Sequence, residues 1–182
     1  MTTFLLNIVN ILQHRVVTAI LRLPNLQAIE HLIMAIFIYA LLALVTGFKT
    51  KFLTFAVEQN WISISRVTFT ALLAPAISEE ILFRVLLLPH PEENHGVNYV
   101  LIWVLISLLT FVIYHPVNGF TLYTAGAKTF TNPIFLLLAT GLGISCIYLY
   151  LDSGSLWTPV VFHWLIVVVW LLCLGGSTRL TP

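Results

Sequence analysis

Long apolar runs, broken by short polar stretches, make up almost the whole chain. A bilayer's hydrocarbon core, about 30 Å thick, takes about twenty helical residues to cross. Five runs are of about that length: residues 28–47, 62–88, 98–114, 132–151 and 155–174. Gly47, Lys49 and Lys51 close the first, and a mixed linker leads to Trp61. Pro89-His90-Pro91-Glu92-Glu93-Asn94-His95-Gly96 reads as a loop by its prolines and glycine. His115-Pro116 stops the third run, and residues 117–131 also read as loop, with Gly119, Gly126 and Lys128. Asn132-Pro133 is a helix start, cap followed by first-turn proline. In that fourth run Ala139 and Gly143 form a small-xxx-small pair suited to close helix packing. Asp152-Ser153-Gly154 is a tight turn into the fifth run, and the tail from Gly175 is short and polar.

Residues 2–23 differ from the rest. Asn7, Asn10, His14, Thr18 and Arg22 recur at helical spacing, so one face is polar and the other apolar. Residues 1–24 are therefore expected to form an amphipathic helix on the membrane surface. Read as a sixth span, the stretch would carry Gln13-His14-Arg15 at mid-membrane. The pattern predicts an all-α, polytopic bundle of about five transmembrane helices plus this N-terminal helix.

Composition agrees. Of 182 residues, 59% are hydrophobic and 8% charged, with mean hydropathy +1.00. A soluble domain is about 25% charged. Residues 1–182 read as one integral membrane domain, with membrane lipids as its surroundings. A net charge of +1 gives no footprint for nucleic acid. Cys146 and Cys173 sit in apolar runs and read as packing residues. The N-terminus lacks a basic start with a small-residue cleavage site, so no cleaved signal peptide is expected. Lys49, Lys51, Lys128 and Arg179 share one side of a five-span chain, which the positive-inside rule assigns to the cytoplasm. The expected location is the cell (plasma) membrane, multi-pass.

The second run holds the chemistry. Glu79, Glu80 and Arg84 lie inside an apolar stretch, although a charge at the bilayer centre costs roughly 2.5–3.5 kcal/mol on insertion scales. Glu80 and Arg84 are four apart, acid first, the favourable order for a helical ion pair. Glu79 points about 100° away and is left for another partner. Pro75, one turn earlier, favours a kink. Elsewhere, His163 lies within the fifth run and His115 at the edge of the third. A carboxylate with two histidines suits general acid–base chemistry on water, without a metal. The trio Glu79, His115 and His163 also suits zinc. The histidines and acids of the 89–96 loop are a weaker metal candidate, since they match no recognised ligand spacing. A structural ion pair with two satisfied core histidines is the bland reading.

Three blocks, in order, resemble the CAAX-protease and bacteriocin-processing family of intramembrane glutamate proteases. They are E-E-x-x-x-R at Glu79–Arg84, F-x-x-x-H at Phe111–His115, and Gly154-Ser155-Leu156-Trp157 leading to His163. The similarity covers residues 68–169. The resemblance implies an intramembrane endopeptidase whose substrate is a peptide or protein cleaved near the membrane surface. It implies that Glu79 activates water with His115, that Glu80 and Arg84 form a structural pair, and that His163 helps bind the oxyanion. The family's third block usually continues as H-x-x-x-N or H-x-x-x-D; here that position is Val167, whose side chain neither donates nor accepts. Asn118, three residues after His115, is a candidate amide in its place.

Two other readings stay open. Val167 supports a non-catalytic relative that binds a peptide or partner protein in an immunity or scaffold role. Buried acids and histidines also suit a small proton-coupled carrier, though paired repeats are absent. Depth is a further constraint. Glu79 and His163 lie about 12–14 Å from one membrane side at 1.5 Å per residue. His115 lies about 25 Å from it if its helix is straight and begins at the surface. A meeting of the three requires that helix to tilt, or to begin well outside the membrane.

Overall fold

A computed structural model describes residues 2–180. Among them the helices are α1 (Thr2–Leu21), α2 (Leu26–Lys49), α3 (Trp61–Val85), α4 (Val97–Phe120), α5 (Pro133–Ser153), α6 (Trp157–Cys173) and α7 (Gly176–Leu180). The protein is an all-α membrane bundle, and the five expected spans fall on α2 to α6. By length and hydropathy alone, α1 also qualifies as a span, whereas α6, with 17 residues, is shorter.

The contacts of α1 set it apart from the spans. Its buried positions are Arg15 and Ala19, one turn apart, and residues 4–11 are exposed all round. Arg15 clasps Glu93 with two nitrogens, Nη2 at 2.7 Å from Oε2, and Arg22 pairs with Glu92. These arginines are about 10 Å apart along the axis, yet both reach one short turn, Pro91–Glu93. Trp157 donates its indole N–H to the Ile20 carbonyl, at 2.8 Å. This half of α1 therefore runs along the loop level, as an interfacial helix does. The 89–96 segment is less solvated than its sequence suggests: His90 is buried and bonds the Gly154 carbonyl at 3.0 Å.

Two expectations about boundaries need correction. The third span does not stop at His115-Pro116; α4 continues through Pro116 to Phe120. Proline removes only one main-chain donor, and membrane helices tolerate that. Residues 124–130 are not plain loop but two short helical turns, Thr124–Gly126 and Ala127–Phe130. The short polar tail from Gly175 folds into α7 and packs on the bundle end.

Close packing fixes the centre. A Cβ on Gly143 would meet Leu108 and Phe111 of α4 at 2.9 and 3.0 Å, so the small residue lets α4 approach α5. Gly141 faces Tyr39 of α2, where a Cβ would make ordinary contact at 3.5 Å.

Candidate active site

The site begins at the break in α3. The residue before a proline is pushed out of the helical region, and proline donates no N–H. Ala74 is accordingly extended, at φ −140° and ψ 114°. Around it residues Leu72–Ile77 form widened turns, a single α-turn Ser78–Glu80 follows, and Ile81–Val85 widens again. The kink expected at Pro75 is thus a full interruption. Main-chain carbonyls of α3 find partners on neighbouring helices: Ser107 donates to Phe83 O at 2.7 Å, and the Trp164 indole to Thr68 O at 2.8 Å. Such compensation permits irregular backbone at membrane depth.

Behind this break lies a buried charge network. Glu80, Arg84 and His163 are at most 3% exposed. Arg84 Nε is 3.1 Å from Glu80 Oε2, and the guanidinium lies 4.4 Å from the Phe111 ring centre. Arg84 also donates to the Gly143 carbonyl at 3.3 Å. His163 Nδ1 is 2.7 Å from Glu80 Oε1. With an ionised Glu80, Nδ1 carries the proton, and Nε2 is the nitrogen that faces Glu79, 4.0 Å from its Oε2. Glu80 therefore holds Arg84 with one oxygen and His163 with the other. The helical spacing showed its contact with Arg84; its contact with His163 was missed. It joins residues 83 apart in sequence, and no spacing rule reports on it.

Glu79 is 9% exposed, and it lines a cavity of about 670 Å³. His115, His163, Asn118 and Val167 line the same cavity, together with Pro75, Ser78 and Tyr114. Glu80 and Arg84 are absent from its wall. His115 and Glu79 thus share a cavity without direct contact. The His115 ring packs on Phe111 and Phe135, at 4.9 and 5.2 Å between centres. Its Nδ1 is 2.9 Å from the Phe111 carbonyl, which only accepts, so Nδ1–H is the donor and Nε2 stays free. Phe111 touches both histidines and Arg84, which gives that motif position a packing reason. Neither the part of α2 in the cavity wall, Tyr39 included, nor Ser78 and Tyr114 was expected from sequence.

Possible metal-ligating atoms converge elsewhere. Among the described residues, Glu80, Cys146 and His163 offer ligand atoms within 4.8 Å of one another. Glu79 and His115 do not belong to that group. Arg84 already contacts Glu80, and its charge opposes a dication there.

Fold and cavity together define a multi-pass membrane protein with a buried acid–histidine site. The sequence profile described as "Type II CAAX prenyl endopeptidase Rce1-like" matches residues 59–169, and the chain belongs to this peptidase family. Comparison with curated proteins and with solved structures gives no match.

Proposed function

We propose that the protein is an intramembrane endopeptidase that hydrolyses a peptide or protein substrate with a glutamate-activated water and no metal. The observation carrying this reading is the division of labour around one wall: Glu79, His115 and His163 line the cavity, while Glu80 and Arg84 stand behind it. In this reading a water lies beside Glu79, with His115 Nε2 helping to hold it. Glu79 takes one proton as the oxygen attacks the substrate carbonyl. His163, its Nδ1–H held by Glu80, acts in its imidazolium form and donates Nε2–H to the developing oxyanion. The C–N bond then breaks, and Glu79 returns its proton to the leaving amine. Asn118, one turn beyond His115, supplies the second oxyanion donor that Val167 lacks. The chain sits in the plasma membrane with its lysine-bearing loops in the cytoplasm.

A second reading has a specific observation in its favour. Val167 puts an apolar side chain on the cavity wall one turn beyond His163, where the resembling family carries Asn or Asp. That favours a relative that binds a peptide or partner without cleaving it. Purified Glu79→Gln protein and a membrane-tethered quenched peptide separate the two. Glutamine keeps size and hydrogen bonding but loses the base, so the variant should fold, bind and not cleave. Cleavage by Glu79→Gln at the wild-type rate, with contaminating proteases excluded, refutes the glutamate mechanism; no cleavage by either leaves the binding reading ahead. A chelator should leave wild-type turnover unchanged, and its loss would point to zinc at Glu79, His115 and His163.

A further inference from the structure

The cavity has two chemically different ends. Glu79 and His163 stand at one; Phe52, Leu53, Trp170, Leu174 and Leu180 line the other, and His115 lies between them, its ring on Phe135, which in turn packs on Trp170. Leu174 follows His163 by eleven residues, so the ends are about 16 Å apart at 1.5 Å per residue. The family match covers residues 59–169. The acid–histidine end lies inside that match, and all five residues named at the apolar end lie outside it.

A strap closes the apolar end. The chain turns back after α6 at Gly175, whose φ of +78° is a left-handed conformation suited to glycine. A Cβ there would stand 2.3 Å from Thr54 Oγ1. α7 is then tied to two different walls. Tyr123 donates its hydroxyl to the Leu180 carbonyl at 3.0 Å, and Thr129 to the Arg179 carbonyl at 2.8 Å. On the other side Arg179 donates to the Lys51 carbonyl at 2.9 Å, and its guanidinium lies 4.6 Å from the Phe52 ring centre. Helix ends leave carbonyls without intrahelical partners, and both hydroxyls fill that need. The ties hold the Leu180 side chain as end wall of the cavity.

We propose that α7 is a specificity strap: Leu180, held by Tyr123, Thr129 and Arg179, sets the size of the apolar side chain that the cavity accepts from the substrate peptide. This deepens, and rests on, the peptidase reading of the same cavity. The occupant is apolar because the five residues at that end are aromatic or aliphatic, and the nearby guanidinium is engaged by a carbonyl and a ring.

The test uses full-length protein in lipid nanodiscs and two membrane-tethered quenched peptides. They differ only at one residue three positions from the scissile bond, about 10 Å along an extended chain, which is alanine or tryptophan. Leu180→Ala should raise the tryptophan-to-alanine ratio of kcat/KM about tenfold, the scale of a few atoms in an apolar pocket, and Leu180→Trp should lower it. Thr129→Val with Arg179→Ala, neither in the cavity wall, should raise it too by loosening the strap. A second readout needs no catalysis. Leu53→Cys, in a Cys146→Ala/Cys173→Ala background, should react several-fold faster with a water-soluble maleimide once the strap is loosened. Cleavage with an unchanged ratio and unchanged labelling, in folded variants, overturns the strap and leaves the peptidase reading standing. Faster labelling with no cleavage of either peptide by the wild type supports the strap as a closure and sinks the peptidase reading instead.

Discussion

Glu80 organises the site although it never reaches the cavity. One oxygen lies against Arg84 Nε at 3.1 Å and the other against His163 Nδ1 at 2.7 Å. Removing one partner of a buried ion pair typically costs about 3–5 kcal/mol, because the remaining charge is stranded. Arg84→Ala should therefore lower the thermal unfolding midpoint as well as activity; an inactive variant of full stability would move Arg84 into the catalytic group. Glu80→Gln is expected to reduce kcat far more than it raises KM, since it disturbs the orientation of His163 rather than substrate contacts. Equal changes in the two parameters would argue against this positioning role. The oxyanion site gives a paired expectation. Losing one donor typically costs 10²–10³ in rate. If Asn118 is the second donor, Asn118→Ala should fall by about that much and Val167→Asn should recover turnover in that background, both measured as kcat on the tethered peptide. An unaffected Asn118→Ala would remove Asn118 from the site. At this scale the sequence was informative about which residues are costly to bury and about pairs four apart on one helix. It was silent on the bond between Glu80 and His163, because rotation of α6 against α3 is decided by packing around Phe111 and Gly143 rather than by either helix alone.

Among the elements, the broken α3 and the docked α1 depart most from a plain hydropathy reading. Pro75 announced a kink, but the extent of the interruption depends on partners outside the helix, Ser107 and Trp164 among them. In α4, by contrast, Pro116 looked like a stop and is not one, since a single proline removes one donor and the helix continues to Phe120. Docking of α1 depends on the Arg15–Glu93 clasp. Burial alone would raise the Glu93 carboxyl, but bonds from Arg15 and from the His90 N–H outweigh it and hold the group at about 2. Its unfolded value is about 4.3. A folded value below the unfolded one contributes stability that is full above about 4.3 and is lost as pH falls through about 2. The docked α1 should thus loosen as pH drops through that window, followed by protease nicking after Arg22 or by loss of Trp157 burial. In Glu93→Gln the pH dependence in this window should disappear. Persistence of the full acid response in that variant would assign it to another group.

Across the whole molecule, the five-span count and the lie of α1 are one question. Length and hydropathy together place α1 among segments able to cross a membrane, whereas α6, strongly apolar but with 17 residues, falls short on length alone. Length and composition alone therefore favour α1 over α6 as a span. The contacts favour α6. α6 carries His163 into the network of Glu80 and Arg84 and packs against α2, α3 and α5, while α1 packs its Val16–Ala19 stretch on the Ile81–Val85 end of α3 and reaches loop-level residues from Arg15, Ile20 and Arg22. A five-span chain with a surface α1 puts Asn7, Asn10 and Asn94 on one side of the membrane and Lys49 and Lys128 on the other. Single-cysteine variants at these five exposed positions, made without Cys146 and Cys173, should react with an impermeant maleimide in those two groups. Asn10→Cys is the informative one. On the surface it labels quickly from the side of Asn94→Cys. In a sixth span it sits within hydrocarbon and labels slowly from either side, and residues before it emerge beside Lys49. Slow labelling of Asn10→Cys, with a cysteine at Thr3 reacting from the lysine side, would overturn the five-span topology. It would also place Arg15 at membrane depth, where its clasp to Glu93 and its bond to the Leu86 carbonyl would have to offset the cost of its charge.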